Sequence, residues 1–170
     1  MSKNEIVTLA IAAIALGFSI WQGNSQIEHN HVSVEPRVTS YFSNHGPEGK
    51  WGIYIINNGM GTAFVKSLDI KVNGKSVSDH EFGKFYQAVV DLDLNPMCFI
   101  MGAPRPNDSF QVGEEVSLIE SNEKAKQSCA RDYLLLREYQ KNKLDYELVI
   151  ESIYGDTFTY KYSKNQQVKI

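Results

Sequence analysis

The sequence has little of what marks several common classes of protein. Two cysteines among 170 residues are too few for a disulfide-rich scaffold or a four-cysteine zinc site. Lysine and arginine total 17 against 20 aspartate and glutamate residues, so no basic excess would attract nucleic acid. A phosphate-binding Walker loop, a dinucleotide-binding glycine motif and a serine-nucleophile elbow are all missing. The chain is therefore predicted to have no nucleic acid as partner and no cofactor.

Charge is also missing from a long stretch near the N-terminus, between Ile6 and Ile27. Its apolar part, Ile6 to Trp21, would span about 24 Å as a helix, somewhat less than the roughly 30 Å hydrocarbon core of a bilayer. The uncharged residues after Trp21 can extend the helix into the headgroup region, and tryptophan is enriched at that interface. The stretch predicts a transmembrane helix over residues 6–22, anchored in lipid by Ile6, Leu9, Ile14, Leu16, Phe18 and Trp21.

A cleaved signal peptide is the alternative to an anchor. Cleavage needs small residues just after the apolar core, and the usable Ala15-Leu16-Gly17 lies inside it, so an uncleaved anchor is favoured. Lys3 precedes the span and the next basic residue is Arg37, which by the positive-inside rule leaves the following domain outside the cytoplasm. The small residues Ala13 and Gly17 would let two such helices approach closely, so a homo-oligomer remains one of the alternatives.

The rest of the chain has the pattern of a β-rich domain. Short apolar or alternating runs are separated by turn residues such as Asn73-Gly74 and Gly155-Asp156, which indicates seven or eight strands. Helical periodicity occurs twice, over residues 79–91 and 122–141. The apolar stripe of the first segment includes Phe82, Phe85 and Tyr86 and is predicted to belong to the core. We expect a mainly β fold: an Ig-like β-sandwich with two inserted helices. The predicted organisation is a tail over 1–5, the span over 6–22, a linker over 23–31 and the domain over 32–170.

The two cysteines leave two interpretations open. Cys98 and Cys129 can form one disulfide in an oxidising compartment, or they can remain separate thiols packed as small apolar side chains. Sequence alone does not show whether their Cα atoms come within bridging distance. The disulfide therefore stays one of two alternatives at this stage.

A binding loop is the strongest functional feature of the domain. Residues 102–113, GAPRPNDSFQVG, form a long polar loop with two prolines, and long loops on rigid scaffolds often carry function. Arg105, Asn107 and Asp108 are its candidate binding residues, with Arg105 as a contact for an anion. The alternative is an arginine that is merely solvated.

Metal and catalytic sites have less support. His29 and His31, with His45 further on, could hold part of a metal site, but no third ligand is suitably spaced, so no metal is predicted. Asp91 and Asp93 could act as a carboxylate pair in a hydrolase, but nothing in the sequence defines a cleft around them. No catalytic residue is therefore assigned.

Several short segments resemble a loose group of uncharacterised small bacterial single-pass membrane proteins. The matching segments share a pattern of a span ending in Trp-Gln, an H-N-x-x-S-V-x-P segment, an N-x-G-x-G-x-A turn and two hairpins. They are Trp21-Gln22, residues 29–36, residues 57–63, Asn73-Gly74-Lys75 and Tyr154-Gly155-Asp156. The resemblance implies a bacterial membrane-anchored β-sandwich and assigns no catalytic residues. Relatives often have arginines between the span and the motif, and this chain has none before Arg37.

These observations predict a non-enzymatic accessory or sensor protein in the bacterial inner membrane, in contact with lipid through residues 6–22. Its domain would bind a small ligand or a protein partner whose identity the sequence does not give. The alternative is a subunit of an oligomeric membrane assembly that associates through its span. A hydrolase is the third and weakest hypothesis.

Overall fold

The computed structural model describes residues 2–45, 49–125 and 128–170. The chain divides into two compact units, Met1–Val34 and Glu35–Ile170. Strands account for 32% of the described residues and helices for 38%, so the fold is not clearly mainly β. The difference from expectation arises largely because the first unit is one long helix.

That helix, α1, runs from Lys3 to Ser33. Ser2 begins it with a capping box: its hydroxyl accepts a hydrogen bond from the Glu5 N–H, and the Glu5 carboxylate accepts one from the Ser2 N–H. The segment predicted as a linker, residues 23–31, is helical. It contains one glycine and no proline, and the helix ends shortly before Pro36, whose ring disfavours helical backbone in the preceding residue.

By length and composition α1 can cross a membrane. Its most apolar 18-residue window has a mean hydropathy of 1.8, and none of its residues, all of which the structure describes, is buried. The predicted span over 6–22 lies within it.

The second unit contains two antiparallel sheets. In the described residues these are a four-stranded sheet in the order β1-β2-β7-β5 and a six-stranded sheet in the order β10-β9-β8-β3-β4, with β6 paired to β3. The strands are β1 (Val38–Ser43), β2 (Gly52–Asn57), β3 (Ala63–Val72), β4 (Lys75–Ser76), β5 (Phe99–Met101), β6 (Ser109–Phe110), β7 (Glu115–Ser121), β8 (Leu144–Glu151), β9 (Thr157–Lys161) and β10 (Gln166–Lys169).

One hydrophobic core draws side chains from both sheets. Burial alternates strictly along β8, and the buried side chains of β2 and β7 join those of β3, β8 and β9 in a single cluster. Hydroxyl groups also link the sheets, since the Ser40 N–H donates to the Tyr160 hydroxyl at 2.9 Å and the Ser40 and Tyr146 hydroxyls are hydrogen-bonded. Burial raises the pKa of Tyr146 well above its usual value.

The predicted hairpins are present. Asn73 and Gly74 both have positive φ, at 51° and 79°, and join β3 to β4 with Val72 opposite Lys75. Gly155, at φ 84°, lies in the turn between β8 and β9. The predicted turn over residues 44–49 lies partly outside the described residues.

The turn between β2 and β3 rests on a buried side chain. Asn57 donates to the carbonyls of Gly61 and Phe110 at 2.8 and 3.0 Å, and its Oδ1 accepts from the N–H groups of Arg37 and Gly59 at 3.1 and 3.0 Å. A Cβ at Gly59 would overlap the backbone at residues 35–37. Positive φ, a common reason for asparagine and glycine in a turn, is not the cause here, because neither Asn57 nor Gly59 has it. Side-chain hydrogen bonding and close packing are the actual reasons.

Both inserted helices are shorter than their sequence patterns indicate. The first, α2, runs from Lys84 to Asp91, and the second, α3, from Ala130 to Asn142. Gly83 has a φ of 93° and so excludes the residues before it from α2. A short 3-10 turn, Glu123–Ala125, occupies part of the second predicted helix, and residues 126 and 127 lie outside the described part of the chain.

Candidate functional site: a cleft between α2 and the loop after β5

The loop that follows β5 is held against β3 by backbone hydrogen bonds. The Asn107 N–H donates to the Val65 carbonyl at 2.9 Å, and the Val65 N–H donates to the Asp108 carbonyl at 2.8 Å. Asn107 has a φ of 75°, a conformation that asparagine tolerates better than most residues. Asn107 and Asp108 therefore fix the loop in place.

The tip of this loop is closed by Asp108. Its carboxylate accepts a hydrogen bond from the Arg105 N–H at 2.8 Å and lies 3.5 Å from Arg105 Nε. The backbone hydrogen bond from Arg105 is the main cause that lowers the pKa of the Asp108 carboxyl. The Arg105 side chain itself is 82% exposed, so the turn presents its guanidinium to solvent.

The start of α2 faces this loop. Gly83, which precedes the helix, combines its φ of 93° with a ψ of 163°, a backbone conformation open essentially to glycine alone. A Cβ there would lie 3.8 Å from the Ala103 Cβ. Lys84, the first residue of α2, donates to the Leu68 carbonyl at 3.1 Å and lies 3.6 Å from Asp79 Oδ1. Helix, loop and β3 thus meet at one place.

Between them lies a cleft of about 350 Å³. Its apolar wall comes from Leu68, Ala103, Pro104 and Pro106, and its polar rim from Ser67, Asp79, His80, Lys84 and Arg105. A mostly apolar cleft with a few polar groups at its edge is typical of small-ligand sites.

An aromatic cluster stands beside the cleft. His80 stacks on Tyr86 with 4.5 Å between ring centroids, and Phe82 meets Tyr86 edge-on at 5.3 Å. His80 Nδ1 accepts a hydrogen bond from the Phe82 N–H at 3.1 Å, which leaves Nε2 as the protonated, donating nitrogen in the neutral ring. The prediction that Phe82 belongs to the core is wrong: it is 65% exposed because the helix begins after it, whereas Phe85 is buried as expected.

The structure places the predicted binding residues in two different roles. Arg105 lines the cleft, whereas Asn107 and Asp108 shape the loop that carries it. Lys84, His80 and Gly83 are cleft residues that sequence reasoning did not find. The available signal was Gly83 inside the helical pattern, because a glycine there can mark a helix boundary, but the continuous aromatic stripe concealed it.

Of the two alternatives for the cysteines, the structure has the disulfide between Cys98 and Cys129. Their Cα atoms lie 5.5 Å apart, within the usual range for a bridge, and both residues are buried. The bond joins the 3-10 turn Pro96–Cys98, just before β5, to the residue that precedes α3.

The other candidates are not brought together. His29 and His31 both lie in α1, where residues two apart do not face the same way, and the described residues include no group of three potential metal ligands. Asp91 and Asp93 are both exposed, and Asp91 accepts a hydrogen bond from Gln87.

Comparison with known proteins finds no matching family model, no similar curated protein and no similar solved structure. The resemblance to small bacterial single-pass membrane proteins accordingly stays a prediction.

Proposed function

We propose that this protein is a membrane-anchored, non-enzymatic accessory or sensor module whose domain binds a small ligand or a short segment of a partner in the cleft between α2 and the loop after β5. The cleft is the observation that carries the proposal. It combines an apolar wall with two cationic side chains on a framework held by backbone hydrogen bonds. A binding site on such a scaffold needs no catalytic group.

We further propose that the domain is an Ig-like β-sandwich. Two antiparallel sheets that share one core support this description. In that arrangement α2, α3 and the long loop are insertions into the sandwich. The cleft lies between two of them, α2 and the loop after β5.

The domain is proposed to lie on the extracytoplasmic face of a bacterial inner membrane. A buried disulfide between Cys98 and Cys129 supports an oxidising compartment, because cytosolic thiols are kept reduced. Lys3 before the apolar segment supports the same orientation. The two arguments are independent, since one concerns redox chemistry and the other the charge flanking the helix.

Sidedness can be tested with single added thiols. Lys75→Cys, at an exposed turn of the domain, should react with a membrane-impermeant maleimide on intact cells, and Ser2→Cys only after permeabilisation. The reverse pattern would place the domain in the cytoplasm and remove this part of the proposal.

Binding can be tested by filling the cleft. Ligand-observed NMR with full-length protein in nanodiscs would screen small acids, amides, amines and sugars against the wild type and Ala103→Trp. We expect hits that compete with one another and that disappear when the cleft is filled, while Lys75→Trp, at an exposed position of β4 outside the cleft lining, keeps them. If no compound binds, or if Ala103→Trp binds as well as the wild type, the cleft is not the binding site.

A further inference from the structure

The charges around the cleft indicate which chemical class of ligand it takes. This step rests on the proposed function and asks only what the cleft would recognise. Lys84 and Arg105 contribute two positive charges to its lining and Asp79 one negative charge, while the Asp108 carboxylate lies 3.5 Å from Arg105 Nε. The formal charges therefore balance, and the two cations differ in how many of their donors remain unbonded.

Arg105 is the cation that remains available. Asp108 contacts its guanidinium only through Nε, at 3.5 Å, and none of the described residues bonds its two terminal nitrogens. Lys84, by contrast, is already engaged by Leu68 and Asp79. The planar guanidinium matches the two oxygens of a carboxylate, which it can bind through two parallel hydrogen bonds.

The remaining lining limits the size and polarity of the ligand. A volume of about 350 Å³ is near the lower end for ligand sites, and the apolar part of the lining is made of Leu68, Ala103 and two prolines. A compact apolar group would bury against this wall and would lose affinity if it were replaced by a polar one.

From these observations we infer that the cleft recognises a singly charged carboxylate carried on a compact apolar group, with Arg105 as the carboxylate contact. A phosphate fits less well, because its charge of about −1.5 to −2 would meet one available cation with the carboxylates of Asp79 and Asp108 close by. The carboxylate can belong to a free organic acid or to the C-terminus of a peptide.

Matched ligand pairs test the inference. Isothermal titration of full-length protein in nanodiscs would compare N-acetyl-leucine with N-acetyl-leucinamide, Ala-Ala-Leu with its C-terminal amide, and 3-phenylpropionate with phenyl phosphate. We expect each carboxylate to bind about tenfold more tightly than its partner. Stronger binding of the tripeptide than of N-acetyl-leucine would identify a peptide C-terminus as the source, and the opposite order a free acid.

Protein variants locate the charge contact. Arg105→Gln should remove the preference for the carboxylate, and Arg105→Lys should keep part of it, since lysine retains the charge but not the planar fork. Arg137→Gln, which removes an exposed arginine from α3, is the matched control and should bind as the wild type does.

The outcomes separate this inference from the proposed function. If amides bind as well as acids and Ala103→Trp abolishes both, the carboxylate inference is wrong and the cleft remains a binding site. Preference for phosphate, or a carboxylate preference that survives Arg105→Gln, also overturns the inference. If no ligand of the set or of the wider screen binds, both proposals fail.

Discussion

The two units of this protein put the same kinds of side chain to opposite uses. In α1 the large apolar residues are between 52% and 65% exposed, whereas the core of the domain consists of residues at most 9% exposed. The helix satisfies its own backbone hydrogen bonds and needs no neighbour for them. The domain satisfies its backbone by pairing strands distant in sequence, and pairing encloses its apolar faces. A lipid bilayer would therefore cover the exposed apolar side chains of α1, whereas water drives the apolar side chains of the domain into its core.

The largest effect is expected from charges placed in α1. Combining Ile11→Arg and Ile14→Arg should cost about 6 to 8 kcal/mol of insertion free energy, since each exchange replaces a favourable residue by arginine near the helix centre. We expect the protein to move from the membrane pellet to the soluble or degraded fraction on carbonate extraction. Ile100→Arg, at a residue of the domain that is 49% exposed, is the control and should leave the protein in the pellet.

Removing the disulfide should produce the next largest effect, confined to the domain. The cysteines are 31 residues apart, and a loop of that length corresponds to about 3 to 4 kcal/mol of stabilisation. Replacing both cysteines by alanine should lower the free energy of unfolding by that amount, which appears as a lower denaturation midpoint, and leave membrane retention unchanged. The reduced wild type should behave like the double variant. An unchanged midpoint would show that the bond does not stabilise the folded domain.

Asn57→Ala should be almost as damaging, although it removes one small side chain. Two buried carbonyls and two N–H groups would lose a partner, at a cost of about 3 kcal/mol in unfolding free energy. The neighbouring Asn58 is exposed, and among the described residues its side chain donates to the Thr39 hydroxyl alone, so Asn58→Ala should cost less than about 0.5 kcal/mol. Chemical denaturation of both variants measures the difference. Equal effects would remove the central role we give to Asn57.

Alkaline pH should distinguish the two units by a smaller effect than the substitutions above, namely a loss of stability in the domain. Burial is the main cause that raises the pKa of six tyrosines of the domain, to about 12 for Tyr41 and Tyr54, whereas α1 contains no tyrosine. Above pH 10 the unfolded chain loses protons that the folded domain keeps, so the stability that these tyrosines contribute is constant below about pH 10 and falls as pH rises further. Denaturation midpoints between pH 8 and pH 11.5 would show this decline. Tyr162→Phe should make it shallower, and a decline beginning below pH 9 would contradict the assignment.

Local patterns predicted the parts of the molecule that depend on neighbouring residues. The charge-free run identified α1, although the helix continues further than expected because nothing stops it before Pro36. Asn73-Gly74 identified a hairpin because both residues tolerate the required backbone angles. Alternating runs were expected among the strands, and burial alternates along β8 and β9.

The candidate site depended on contacts that no local pattern contains. Arg105 was predicted as an anion contact, but its neighbours in the cleft come from β3 and from the start of α2. Phe82 was assigned to the core because its spacing fits a helix, and the backbone of Gly83 ends that helix before reaching it. The choice between a disulfide and two thiols required the Cα–Cα distance of 5.5 Å.

Local sequence accounts for the long apolar N-terminal helix, the turns and the alternation of the strands, because each depends on residues within a few positions of one another. The folded structure was needed for the pairing of strands into two sheets, the meeting of the cysteines and the cleft between α2 and the loop after β5. These features need segments far apart in the chain to come together, and the shared core supplies the free energy that holds them there.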